Sequence, residues 1–136
     1  MDGVLLVDKP TGLTSFDVVA RVRRALREKR VGHAGTLDPE ATGLLLLCLG
    51  EATKLVPYLM DADKEYRATA RLGIATDTDD AAPGSKALFT ASEEALRTLT
   101  ETQITQALQQ QVGSIAQKPP RFSALKVDGQ RLYDKA

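Results

Sequence analysis

The chain of 136 residues has no tryptophan, three phenylalanines and three tyrosines, so its core must be built from Leu, Val, Ile and Ala. A single cysteine excludes an internal disulfide. One cysteine beside one histidine argues against a His/Cys zinc site, and no metal is expected. No apolar run approaches the ~18 residues of a membrane span. The N-terminal MDGVLLVDKP has no basic flank and too short an apolar run for a secretion signal, so the expected location is the cytoplasm. No Rossmann glycine fingerprint or P-loop is present. The length predicts one domain that buries about two thirds of its unfolded surface.

Net charge is lacking too: 18 bases balance 18 acids. Taken whole, that argues against a nucleic-acid partner. The distribution argues the other way. Residues 21–30 hold 6 bases and 1 acid, residues 61–112 hold 5 bases and 9 acids, and residues 113–136 hold 5 bases and 2 acids. Two basic islands separated by an acidic stretch can still form a basic surface.

Val4 to Val7 reads as a first strand, and DKPTG as a turn. Thr14 with Asp17 three residues on has the form of a capping box, so a helix should begin there. Val18, Val19, Val22 and Leu26 fall on one helical face, and Arg21, Arg23, Arg24, Arg27, Lys29 and Arg30 occupy the others. Those bases suit either a solvated helix end or contact with phosphates. Ala52 to Met60 reads as a helix shortened or kinked by Pro57. Lys64 to Leu72 alternates, with Tyr66, Ala68, Ala70 and Leu72 on one side, and predicts a half-buried strand. Thr76 to Asp80 reads as an acidic turn, since it lacks the Gly and distal Glu of a calcium loop. Ala81 to Leu99 carries little signal. Thr100 and Gln103 form a second capping box, leading a helix through Ile104, Ala107, Leu108 and Val112 that Gly113 closes. Pro119 to Tyr133 is basic with interleaved aromatics, which suits single-stranded RNA loops. Within it, Asp128-Gly129 predicts a tight turn.

The stretch Val31 to Thr53 organises the rest. Gly32, Gly35 and Thr36 precede Asp38, and Pro39 follows it. Gly43 then opens the apolar run Leu44 to Leu49, which reads as a strand buried on both faces. A glycine-rich loop with one acid is thus tied to a rigid scaffold, the setting in which chemistry tends to sit. D-P-E-A also fits an ordinary helix N-cap, with Asp38 as cap and Pro39 at the first helical position. His33 is equally compatible with a structural hydrogen bond and with a functional one.

The string GHAGTLDPEATGLL followed by GEATK resembles the catalytic motif of the tRNA pseudouridine synthase B family, enzymes that isomerise the T-loop uridine of tRNA. Four further stretches agree in order: DKPTGLTS (Asp8 to Ser15), KEYRATARLG (Lys64 to Gly73), TDTDD (Thr76 to Asp80) and PPRFSALKVDGQRLY (Pro119 to Tyr133). Ala34 departs from the pattern, where many members carry Thr. The resemblance implies that Asp38 and Tyr66 are the catalytic residues, Asp38 as the carboxylate and Tyr66, in K-x-Y, as the ring that contacts the target base and a candidate for proton transfer. It implies RNA contacts from a thumb-like segment at about 118–136, with Arg121, Lys126 and Arg131. Lys9, His33, Lys64, Arg23, Arg24 and Arg27 are the remaining candidates for RNA contact, Lys9 and His33 either by holding the flipped nucleotide or by shaping the loop. In the family, the pattern at Tyr133 and Ala136 runs on to an Arg that pairs with the catalytic Asp. The resemblance therefore implies an N-terminal portion of the catalytic domain, with sheet edges and an apolar face uncovered and little activity alone.

The implied fold is α+β, a mixed, largely antiparallel sheet with packed helices. The implied partner is the T arm of tRNA, bound by a monomer. Conversion of uridine to pseudouridine involves no redox change and no external group, so no cofactor is expected. Two other readings are weighed beside this one. Asp38 and Glu40 as a glycoside hydrolase pair would need two carboxyls at a defined separation, for which two positions on one loop are a poor basis. A non-catalytic tRNA-binding or tRNA-folding module would bind tRNA without isomerising it.

Overall fold

The computed structural model describes residues 1–81 and 84–116, together with the backbone of two short strands at 126–127 and 130–131. The chain divides into two compact units, Met1–Arg67 and Ala68–Ala136. Among the described residues all strand pairings are antiparallel, and helices accompany them, so the fold class is α+β.

In the first unit, strand β1 (Gly3–Lys9) lies along β3 (Gly43–Leu49), which also pairs with the short β2 (Val31–His33). The sheet order is β1-β3-β2, with Leu5 opposite Leu47 and Val31 opposite Leu49. Paired residues share a face, so Leu45, Leu47, Leu49, Val31, Leu5 and Val7 all point one way. Helix α1 (Ser15–Leu26) supplies Val18 and Val19 to this same core. Thr14 caps it as expected: its hydroxyl accepts from the Asp17 N–H, and the Asp17 carboxylate accepts from the Thr14 N–H. The helix ends at Arg27, which caps it in the left-handed conformation at φ 50°.

The opposite face of the sheet carries Val4, Leu6, Leu44, Leu46 and Cys48. A 3-10 helix (Gly50–Leu55) runs into α2 (Val56–Met60), with Pro57 in the first turn of α2. A side-chain carbon placed on Gly32 would meet Val56 and Thr53, so this segment covers the Gly32 and Cys48 end. Cys48 is buried there, and burial pushes its thiol pKa up. The far end of that face is open: Leu44 is 63 % exposed. The expectation of a strand buried on both faces therefore holds only for the second half of β3. Gly50 adopts φ +56°, and any side chain there would collide with Asp2 and Met1.

In the second unit, β4 (Ile74–Thr76) pairs with β5 (Ala87–Thr90), with an irregularity between Ala75 and Thr76. The acidic stretch at 76–80 is a turn: the Asp77 carboxylate accepts from the Lys86 N–H at 2.8 Å. Helix α3 (Glu93–Thr98) starts at Ser92, whose hydroxyl accepts from the Ala95 N–H. Helix α4 (Glu101–Gln109) starts with the expected capping box of Thr100 and Gln103. It ends before Gly113. Gln111 and Val112 instead bond three residues back, and the exposed Leu108 and Val112 find nothing to pack on that would extend it. Strands β6 (Lys126–Val127) and β7 (Gln130–Arg131) pair antiparallel; the turn expected at Asp128-Gly129 lies outside the described residues.

Lys64 to Leu72 does not form the expected strand. A strand needs a partner for its backbone groups, and among the described residues none runs beside it. Tyr66, expected to face inward, is 66 % exposed. Among the described residues, no helix is long and apolar enough to cross a membrane.

Candidate active site

The loop between β2 and β3 is built by backbone constraints at both ends. His33 lies at the end of β2, and its Nδ1 lies 2.7 Å from the Gly35 carbonyl oxygen, so the ring shapes the loop. Gly35 takes φ +113°, a region that a side chain would strain. The Ala34 N–H donates to the Leu46 carbonyl, which prolongs the sheet by one bond. Asp38 to Ala41 then forms a turn closed by the Ala41 N–H on the Asp38 carbonyl at 3.1 Å. Pro39 is the second residue of that turn, where its fixed φ suits. No helix follows, so the N-cap reading of Asp38 is corrected: D-P-E-A is a turn.

The residues flanking Asp38 are pinned. The Leu37 N–H donates to the Ser15 hydroxyl at 2.9 Å, and the Leu37 carbonyl accepts from it at 3.2 Å. The Pro39 carbonyl accepts from the Gly12 N–H at 2.8 Å and from Lys9 Nζ at 3.1 Å. Lys9 is 0 % exposed, and its Nζ also donates to the carbonyls of Pro10 and Leu13. A lysine has three donors, and all three are used within the protein. Of the two roles expected for Lys9, the structure gives it the shaping of the loop and corrects the RNA contact. The Asp38 carboxylate itself is exposed and forms no hydrogen bond or ion pair among the described residues.

A cleft of about 650 Å³ opens beside this loop. Gly35, Thr36, Glu40 and Leu44 line it on one side, and Lys64 and Tyr66 on the other. Asp38 stands on the loop that walls the cleft but is not among its lining residues. Lys64 Nζ donates to the carbonyls of Met60 and Ala62, at the C-terminal end of α2, and its stem lies over Gly35. Glu40 accepts from the Thr11 hydroxyl at 3.3 Å.

The arginine cluster of α1 divides. Arg23 is half-buried: its Nη2 donates to the Val31 carbonyl at 2.8 Å, tying α1 to β2, and its guanidinium lies 6.0 Å from the Phe16 ring. That bond is structural and takes one of the five guanidinium donors. Arg24 and Arg27 are exposed. Arg121 lies outside the described residues, as do the side chains of Lys126 and Arg131. Among the described residues, no group of three or more His, Cys, Asp or Glu side chains is placed to hold a metal.

Sequence reasoning missed Ser15 and Gly12 as braces of the loop. Both lie within the DKPTGLTS stretch, and that contiguity was the available signal.

The family described as "TruB family pseudouridylate synthase (N terminal domain)" matches residues 23–136. The chain belongs to the TruB family of pseudouridylate synthases. As a member it is 52% identical over 136 residues to tRNA pseudouridine synthase B of Ruegeria sp. (strain TM1040), covering all of this chain and 43% of that protein. It is 54% identical to the protein of the same name from Aromatoleum aromaticum, covering 42% of it, and 51% identical to that of Opitutus terrae, covering 54%. The chain thus spans about half the length of the curated relatives it matches. Among solved structures, a chain in an H/ACA RNP bound to a substrate RNA containing 2'-deoxyuridine aligns with 41% of this chain and 18% of its own, at 45% identity and a TM-score of 0.40.

Proposed function

We propose that this chain forms the catalytic half-site of a tRNA pseudouridine synthase that converts the T-loop uridine at position 55, with Asp38 as the catalytic carboxylate. The observation that carries this is an exposed carboxylate on a loop pinned at both neighbouring residues, beside a cleft lined by Lys64 and Tyr66. Family membership and relatives named tRNA pseudouridine synthase B support it.

The reaction breaks the N-glycosidic bond, turns the base over and joins its carbon to the same sugar carbon. A carboxylate serves such an exchange as nucleophile or base. The target base must leave its stack to reach Asp38, and Tyr66, projecting into solvent, offers it a ring to pack on. Lys64 lines the cleft where the nucleotide would lie, and His33 shapes the loop that walls it. Arg24 and Arg27 supply charge for the tRNA backbone, with Arg121, Lys126 and Arg131 from the 118–136 segment. The reading entails the T arm as partner, a cytoplasmic monomer and no cofactor.

The test uses the full-length protein carrying this sequence. Asp38→Asn keeps size and turn geometry and removes only the charge. Single-turnover pseudouridine formation should fall by many orders of magnitude, with tRNA binding and thermal stability near those of the parent. Glu40→Gln should be nearly silent. An active Asp38→Asn protein would sink the proposal, and a severe Glu40→Gln defect would favour a two-carboxylate mechanism.

A further inference from the structure

We propose that Ser15 is a positioning residue for Asp38. The inference rests on the catalytic reading of Asp38 given above. Ser15 is the first residue of α1, a place where a serine ordinarily faces water, yet it is 3 % exposed. Its hydroxyl reaches across 22 positions of sequence to Leu37. There it accepts from the N–H at 2.9 Å and donates to the carbonyl at 3.2 Å. A hydroxyl offers one donor and two lone pairs, so one group can hold both polar atoms of one peptide residue.

That residue immediately precedes Asp38. The helix that carries Ser15 is itself fixed, by Val18 and Val19 in the core and by the Thr14–Asp17 capping box in its first turn. A chain of fixed contacts therefore runs from the core through α1 to the residue before the carboxylate. The residue after it is held from β1 and the following turn, through Lys9 and Gly12. Asp38 is the one link between two anchored peptides, and among the described residues its carboxylate has no bond of its own to hold it. Its aim is set by its backbone, and its backbone is set by Ser15 on one side.

Removing the hydroxyl leaves the half-buried Leu37 N–H without this partner and frees that flank. A displacement of about 1 Å at a reacting group can cost on the order of 10²-fold in rate. The expected signature is a loss of rate with binding intact.

The experiment measures single-turnover pseudouridine formation, tRNA binding, melting temperature and amide exchange in the full-length protein carrying this sequence. Four variants are compared with the parent: Ser15→Ala, Ser15→Cys, Leu49→Ala and Asp38→Asn. Ser15→Ala should lower the rate by ~10²-fold with affinity within about twofold. Ser15→Cys, whose thiol is a weaker partner, should fall between. Leu49→Ala removes core packing at the end of β3 away from the loop, so well below its melting temperature it should keep its rate. The Leu37 amide should be protected in the parent and in Leu49→Ala, and exposed in Ser15→Ala. Rapid exchange of Leu37 in the parent would overturn the clamp even where no Ser15 variant folds. Parent-like rates in both Ser15 variants would overturn the positioning role. An active Asp38→Asn protein with Leu37 deprotected in Ser15→Ala would overturn the catalytic reading and leave the clamp standing.

Discussion

The side-chain nitrogen of Lys9 donates to the carbonyl oxygen of Pro39 at 3.1 Å, across 30 positions of sequence. A buried cationic-type side chain is thereby turned into a bracket between the end of the first strand and the turn that follows Asp38. Its other two donors go to Pro10 and Leu13.

Lys9→Met should therefore act on stability and not on RNA. It removes the Lys9 donor from the Pro10 and Leu13 carbonyls and one of the two donors on Pro39, at a cost of about 2 kcal/mol. Urea unfolding should show that loss, while tRNA affinity stays within about twofold. A large fall in affinity with stability unchanged would restore Lys9 as an RNA contact.

Arg27 offers a test in which two effects point in opposite directions. It caps α1 with left-handed angles, which disfavour any residue with a side chain by about 1 kcal/mol. Arg27→Gly should raise stability by about that amount. If Arg27 meets a phosphate, the same change should weaken tRNA binding and lower its salt slope by roughly 1. An unchanged slope would make Arg27 ordinary solvated surface.

Asp17 links pH to the helix that carries Ser15. Hydrogen bonds from the Thr14 hydroxyl and then the Thr14 N–H hold the Asp17 carboxyl below its usual range. A carboxyl with a depressed folded pKa stabilises above its unfolded value, near 4, and loses that contribution as pH falls through the folded value. The melting temperatures of the parent and Asp17→Ala should differ at pH 6, and the gap should narrow as pH falls below the unfolded value. A gap that does not narrow would show that the capping box contributes nothing through its charge.

The two faces of β3 can be told apart by substitution. Leu47 is 0 % exposed and packs against α1, so Leu47→Ala should cost about 3 kcal/mol. Leu44→Ser should change stability by less than about 0.5 kcal/mol in urea unfolding, because its side chain is already in water. Equal costs at the two positions would show that the outer face is covered in solution.

Much of the first unit was legible because its signals are local. A capping box is a four-residue pattern, and both Thr14–Asp17 and Thr100–Gln103 form as read. The run at Leu44–Leu49 declared a strand by its own composition. What failed depended on partners far along the chain. Lys64 to Leu72 has the alternation of a strand, yet alternation cannot supply the neighbour a strand bonds to. The arginines of α1 look alike in sequence, and only the proximity of Val31 sets Arg23 apart. The same holds at the site. The glycines and the acid of G-T-L-D-P stand next to one another and can be read directly. The Ser15 brace reaches across 22 positions and cannot, and for Lys9, whose bond spans 30, the sequence leaves the loop as only one of two roles. Ser92 and β5 lay in a stretch with little periodicity, because four exposed residues leave no hydrophobic pattern to detect.

The strand order β1-β3-β2 has a temporal consequence. During synthesis β1, α1 and β2 all emerge before the strand that joins them. Neither outer strand has a ladder partner until Gly43–Leu49 arrives, and Gly3 must then find Leu49. Such distant pairing is slow, since the intervening chain must first be closed into a loop. The turn bearing Asp38 leads directly into that late strand. Its anchors, Lys9 and Ser15, stand on β1 and α1, two elements that emerge before the strand which completes the sheet.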